Sequence, residues 1–119
     1  MRAKQVGRYG EDAALRYLED QGYRLVERNF HTRYGELDLI MLEGQQLVFV
    51  EVKARTSLRY GQAEEAITWR KLQKMRQLVA IYLAQGAPRH RGIRLDAVAV
   101  DIEPKTLRTL SIRHYKNIG

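Results

Sequence analysis

The sequence predicts an α/β protein: a mixed β-sheet flanked by helices, in the order α-β-β-β-α-β-β. Three observations predict it. Two long stretches carry apolar residues at helical spacing. Five shorter stretches are apolar runs bounded by turn residues. Their interleaving leaves helices free to pack on one sheet. With 119 residues, the chain has the length of a single domain, 1–119, and not of two ordinary cores.

Residues 4–21 read as the first helix. Val6, Tyr9, Ala13, Ala14, Tyr17 and Leu18 follow helical spacing, and Gly22 closes it. Residues 23–30, with Tyr23, Leu25 and Val26, form a first strand. Residues 36–42 form a second and 47–54 a third, and the turn Glu43-Gly44-Gln45-Gln46 makes this pair a hairpin. Residues 55–62 are polar and contain glycine, so they are a loop. A long helix follows over 63–85, with Ile67, Leu72, Met75, Leu78, Val79, Tyr82 and Leu83 as its buried stripe. Arg70, Lys71, Lys74 and Arg76 fall mostly off that stripe. After a loop at 86–92 containing Pro88 come strands over 93–102 and 107–115.

Composition narrows the function classes. The chain has no cysteine, which removes disulfides, zinc knuckles and thiol catalysis and suits a reducing compartment. No stretch has the apolar length of a signal peptide or a membrane span. The expectation is a cytoplasmic protein with no membrane partner. Net charge is +7, and it is segregated. Residues 1–51 hold 7 Lys/Arg against 9 Asp/Glu, whereas residues 52–119 hold 14 against 5. A basic half joined to an acidic half suggests a polyanion partner, with something else collected on the acidic side.

The third strand carries the sharpest signal. Leu47, Val48, Phe49, Val50 and Val52 describe a strand apolar on both faces, hence central. Glu51 and Lys53 interrupt it, and strand alternation puts both on one face. A buried charge is costly unless it is paired or metal-bound. Three readings stand: a solvated Glu51–Lys53 pair, a strand less buried than its composition suggests, or a metal site with its helper. Asp38, another acid among apolar residues in the preceding strand, favours the third. Converging carboxylates repel unless a cation holds them, and hard oxygen ligands suit Mg²⁺ or Mn²⁺. An ion held by Asp38 and Glu51 would support phosphodiester hydrolysis. Lys53 would orient the attacking water or offset charge on phosphorus. The basic half would hold the substrate backbone.

These residues resemble a known pattern. Asp38 with Glu51-Val52-Lys53 is similar to the signature of the PD-(D/E)xK nuclease superfamily. Over nearly the whole chain, an ordered set resembles the YraN-like family of uncharacterised proteins. The set comprises Gly10-Glu11, Gly22-Tyr23, Arg28-Asn29, Gly35-Glu36-Leu37-Asp38-Leu39-Ile40, Phe49-Val50-Glu51-Val52-Lys53-Ala54-Arg55 and Arg94-Leu95-Asp96. The resemblance implies a restriction-endonuclease-like fold of the Holliday-junction-resolvase type. It implies a metal held by Glu11, Asp38, Glu51 and Val52, with Asp38, Glu51 and Lys53 catalytic. Resolvases of this type act on branched DNA as symmetric dimers, so a homodimer is among its implications. Gly35-Glu36 stands where the superfamily pattern has a proline near the first acid.

Spacing alone makes Glu11 an ordinary solvent-facing helix acid. Lys71 is either a phosphate contact or one more charge on a solvated face. Arg55 and Lys74 are expected to touch nucleic acid, and Arg59 stays open. Asp96 is expected to be structural, pairing with Arg94. Glu36 shares a face with Asp38 and is either a supporting acid or exposed. His31, His90 and His114 are expected at the surface, with His31 close enough to Glu36 to stay open. Trp69, Tyr9 and Tyr82 are expected in the core or at its edge, and Tyr60 in contact with nucleic acid. The leading expectation is a metal-dependent nuclease acting on DNA. The alternatives are a nucleic-acid-binding module of the same fold that does not cut, and a protein whose basic face meets an acidic partner.

Overall fold

A computed structural model of the chain describes residues 3–56 and 68–119. Helix α1 spans Ala3–Asp20, and strands β1, β2 and β3 span Arg24–Thr32, Gly35–Glu43 and Gln46–Arg55. Helix α2 spans Trp69–Ala84, and strands β4 and β5 span Gly92–Ile102 and Thr109–Tyr115. The element order matches the expected one. All five strands form one sheet in the order β1-β2-β3-β4-β5. Neighbours are antiparallel except β3 and β4, which are parallel. A parallel pair needs a crossover connection, and α2 lies on it.

Differences from the sequence expectation lie at element ends. β1 runs on to Thr32, because Thr32 closes the turn to β2. Its Oγ1 accepts the Tyr34 N–H at 2.9 Å and donates to the Gly35 carbonyl at 3.0 Å. The helix expected over 63–85 does not pass through Thr68. That residue is extended and caps α2, its side chain accepting the Lys71 N–H. Residues 63–67 lie outside the described residues, as do Ile67, Arg59 and Tyr60.

The sheet divides the core into two layers, and β2 breaks strict alternation near its open end, with Leu37 on one side and Leu39 on the other. On one face Phe30, Leu37, Ile40, Leu42, Leu47, Phe49 and Leu95 pack under Met75, Leu78, Val79 and Tyr82 of α2. On the other, Leu39, Met41, Val48, Val50, Val98, Val100 and Ile102 pack under Ala14 and Leu18 of α1. Helix α1 lies so close to β3 that a Cβ on Gly10 would collide with the Ala54 Cβ. A Cβ on Gly7 would meet nothing within 4 Å. The same substitution should therefore have opposite signs three residues apart. Gly7→Ala gains about 1 kcal/mol of helix propensity. In Gly10→Ala overpacking, typically about 1–3 kcal/mol, outweighs that gain. Urea titration of the two variants reads both signs, and equal effects would overturn the close-approach argument.

One buried polar network ties β5 to the sheet. Asp96, fully buried, accepts from Arg94 Nε at 2.9 Å, His114 Nε2 at 2.7 Å and the Asn117 N–H at 3.0 Å. Arg94 also donates to Glu43 and to the Tyr23 hydroxyl. Asp96 is structural, as expected. The His114 side chain, at 6% exposure, is not at the surface as expected. Burial pushes the Asp96 carboxyl upward, yet His114, Arg94 and the Asn117 N–H hold it below the usual range. Its contribution to stability is present at neutral pH and lost as pH falls through that lowered value. Asp96→Ala removes one of the two carboxylate partners of Arg94, leaves the buried His114 ring and the Asn117 N–H without their acceptor, and should cost about 3 kcal/mol or more in urea unfolding at pH 7.

Candidate metal centre

Pairing between β2 and β3 runs from Glu43↔Gln46 to Leu39↔Val50. The next residues toward the open end are Asp38 and Glu51. Both side chains reach the cleft that α2 overhangs, Glu51 in step with Leu47 and Phe49 of β3. Asp38 Oδ2 accepts the Val52 N–H at 2.8 Å, which fixes the carboxylate against β3. Asp38 and Glu51 line one cleft of about 490 Å³, whose far wall is the first turns of α2. Glu36, Arg70, Lys71 and Lys74 line it too.

Glu11 reaches this end of the sheet from α1. It stands three residues before Ala14 and seven before Leu18, so helical phase turns it toward the sheet, and Gly10 brings the helix close. Asn29 Nδ2 donates to Glu11 Oε1 at 2.9 Å, and Arg28 lies 3.5 Å from the same oxygen. Asn29 adopts a left-handed backbone (φ 54°) within β1, a conformation that asparagine tolerates better than most residues. Glu11, Glu36 and Asp38 each offer a carboxylate oxygen, all within 4.8 Å of one another.

The electrostatics follow from this crowding. Burial pushes the Asp38 carboxyl up to about 7, and the charges of Glu51, Glu11 and Glu36 push in the same direction, while the Val52 N–H opposes them. Glu51 lies 3.1 Å from Lys71 Nζ. Burial lowers the Lys53 ammonium, and its neighbour Lys71 lowers it further. Burial works against charge on Lys71, but Lys53 and Glu51 overcome it and hold that ammonium above its usual value. The cleft is thus a row of acids beside Lys71, with Lys53 as the neighbour of that lysine. Hard carboxylate donors at this spacing fit a divalent cation.

The other expected site residues are less uniform. Lys71 and Lys74 line the cleft. Lys53 acts on Asp38 and Glu51 electrostatically without being part of its wall. Val52 serves through its backbone N–H. Arg55 is not in the cleft wall; it stands opposite Asp101 in the β3–β4 register, and its charge lowers the Asp101 carboxyl. Glu51 is outside the 4.8 Å carboxylate group, and Glu36 is inside it. Glu36 also holds His31 at 3.2 Å. Asn29 and Arg28, which position Glu11, carried no functional signal in the sequence beyond the resemblance. Trp69 and Tyr9, expected in the core or at its edge, are 76% and 50% exposed, whereas Tyr82 is buried.

Fold and site together define a small α/β protein with an acidic, lysine-walled cleft at one end of a mixed sheet. The chain belongs to the uncharacterised protein family UPF0102, whose family model matches residues 10–100. A UPF0102 protein of Beutenbergia cavernae is 44% identical over 124 residues, covering 100% of each chain. One of Syntrophomonas wolfei is 43% identical, covering 84% of this chain and 87% of its own. One of Pelotomaculum thermopropionicum is 44% identical, covering 96% and 94% respectively. Among the described residues no helix is long and apolar enough to cross a membrane.

Proposed function

We propose that this protein is a divalent-metal-dependent nuclease of the PD-(D/E)xK, resolvase-like type that hydrolyses phosphodiester bonds in DNA, with branched or otherwise structured DNA as its substrate. The observation that carries the reading is the Asp38 carboxylate, pinned by the Val52 N–H in a cleft it shares with Glu51, with Glu11 and Glu36 at its edge. Mg²⁺ or Mn²⁺ would be held by Glu11, Asp38 and Glu51, with Glu36 in reserve. Such an ion, when bound, polarises a phosphate oxygen and supplies a nucleophilic water. The chain's own groups do the rest. Asn29 and Arg28 hold Glu11 in place. Lys53, whose ammonium is lowered, orients the attacking water or exchanges its proton. Lys71 and Lys74 hold the phosphate backbone. A resolvase-like nuclease would act as a homodimer.

A second reading rests on the Glu51–Lys71 ion pair. If that pair persists in the presence of metal, the protein is a nucleic-acid-binding module that does not cut. One experiment decides. Linear, flapped and four-way-branched DNAs are incubated with Mg²⁺ or Mn²⁺ and either wild type or Glu51→Gln. Cutting by wild type alone supports the nuclease. Equal binding without cutting by either protein supports the module.

A further inference from the structure

We propose that Asn29 makes Glu11 a one-oxygen ligand, so that the acidic centre selects a small octahedral cation, Mg²⁺ or Mn²⁺, over Ca²⁺. This inference rests on the metal-centre reading above and names the residue that sets its ion preference. Asn29 lies in β1 between Arg28, which pairs with Leu39, and Phe30, which pairs with Leu37. It is therefore level with Asp38, which is in turn level with Glu51 of β3. Both outer strands of this row are irregular here. Asn29 has φ 54°, and in β2 Leu37 and Leu39 pack on opposite sides of the sheet. Successive residues of a regular strand point to opposite faces, yet Arg28 and Asn29 reach the same oxygen of Glu11. Asn29 Nδ2 donates to Oε1 at 2.9 Å, and the Arg28 guanidinium lies 3.5 Å from that oxygen. A left-handed backbone is disfavoured for L residues. Here it stands where alternation breaks and an amide meets a carboxylate of α1, which marks a residue whose orientation matters.

A carboxylate oxygen has two lone-pair directions. On Glu11 Oε1 the amide and the guanidinium take up both, which leaves Oε2 for a cation. The Arg28 charge is shared with Asp12, whose Oδ1 accepts from it at 2.9 Å. The Asn29 amide is neutral, so it orients Glu11 without cancelling the negative charge that a cation needs. Asp38 is committed in a similar way at Oδ2, by the Val52 N–H at 2.8 Å. Ca²⁺ takes roughly six to eight oxygens in flexible geometry and accepts bidentate carboxylates, whereas Mg²⁺ holds to near-octahedral geometry and keeps several waters. Single oxygens from separate carboxylates fit the second pattern. A mere structural tie between β1 and α1 would hold the two elements together and leave ion preference untouched.

Asn29→Gly is the first test, because glycine adopts φ 54° freely and the change removes only the amide. Titration calorimetry without nucleic acid measures Mn²⁺ and Ca²⁺ binding to wild type and variant. The wild type should bind Mn²⁺ more tightly than Ca²⁺. In Asn29→Gly, Mn²⁺ affinity should fall about tenfold, as on loss of a partner that orients a ligand. Ca²⁺ affinity should change less than about twofold, because the released oxygen gives the larger ion a second contact. Asn29→Asp has the same shape and also tolerates a left-handed backbone, but its carboxylate cannot donate. The added charge raises both affinities, so the ratio of Mn²⁺ to Ca²⁺ affinity is the readout, and it should fall in this variant too. Urea unfolding in EDTA should show both variants folded. Equal losses for the two ions, or an unchanged ratio in both variants, would overturn the role of Asn29 and leave the metal centre intact. A wild type that binds Ca²⁺ as tightly as Mn²⁺ would overturn the selectivity. Binding of neither ion by the wild type would overturn the metal centre as well.

Discussion

Glu51→Gln should abolish divalent-dependent cleavage, while Lys71→Met should tighten metal binding. The two variants probe opposite ends of one ion pair, Lys71 Nζ to Glu51 Oε2 at 3.1 Å. Glutamine keeps the shape and hydrogen-bonding capacity of glutamate but removes the charge that a divalent cation requires. Metal-ion stabilisation of a phosphoryl transition state is worth several kcal/mol, so the loss in rate should be about a thousandfold or more. Lys71 acts differently, because its ammonium occupies the oxygen that the ion would take. The Glu51 side chain is 13% exposed and that of Lys71 is 38% exposed. Solvent at the lysine end screens the pair to about 1 kcal/mol, so relieving the competition should raise Mn²⁺ affinity about fivefold. The same change removes a phosphate-facing cation and should weaken DNA binding. Titration calorimetry with Mn²⁺ in the absence of DNA separates the two effects. Weaker Mn²⁺ binding in Lys71→Met would show that the lysine supports the metal centre and does not compete with it.

Much of this architecture was legible in the sequence because the central strands are extreme. A run such as Leu47–Val50 has few alternatives to a sheet buried on both faces, and an acid set among Leu37, Leu39 and Ile40 has to be accounted for. What escaped depends on contacts distant in the chain. His114 reads as a surface histidine until β5 pairs with β4 and brings it onto Asp96, 18 residues away. The role of Glu36 is not legible in the sequence, because alternation gives a face and not a distance. Glu11 had a usable signal, its three- and seven-residue spacing from Ala14 and Leu18. The closeness of α1 to β3 is set by the missing side chain of Gly10, which periodicity does not register. Trp69 reads as core or core edge from the apolar character of its indole, but it lies off the buried stripe of α2, at the first turn of that helix. The position of Arg55 after the Glu-x-Lys strand suggests a nucleic-acid contact, whereas the β3–β4 register sets it opposite Asp101.

The raised Asp38 carboxyl gives the metal-free protein an unusual pH profile. Its folded-state value, about 7, lies above the ordinary aspartate value of 3.8. The native state therefore binds more protons than the unfolded chain between about pH 4 and pH 7, and stability falls as pH rises through that window. The stabilisation from protonated Asp38 is fully present below the unfolded value and is lost above the folded one. In EDTA, the wild type should accordingly lose stability from pH 5 to pH 8. Asp38→Asn should flatten this segment of the profile. Its amide oxygen can still accept the Val52 N–H, and it adds no charge beside Glu51. The variant should thus be more stable than wild type at pH 8 and nearly equal to it near pH 4. Mn²⁺ should reverse the order at pH 8. A cation that binds only the folded, deprotonated site stabilises wild type by mass action and has nothing comparable to hold in Asp38→Asn. Thermal unfolding of both proteins at pH 5 and pH 8, with EDTA and with Mn²⁺, gives the comparison. A parallel response of both proteins to pH and to Mn²⁺ would place the buried charge elsewhere. A crossing of the two profiles would show that stability is sacrificed at Asp38 for a carboxylate that only a cation can satisfy.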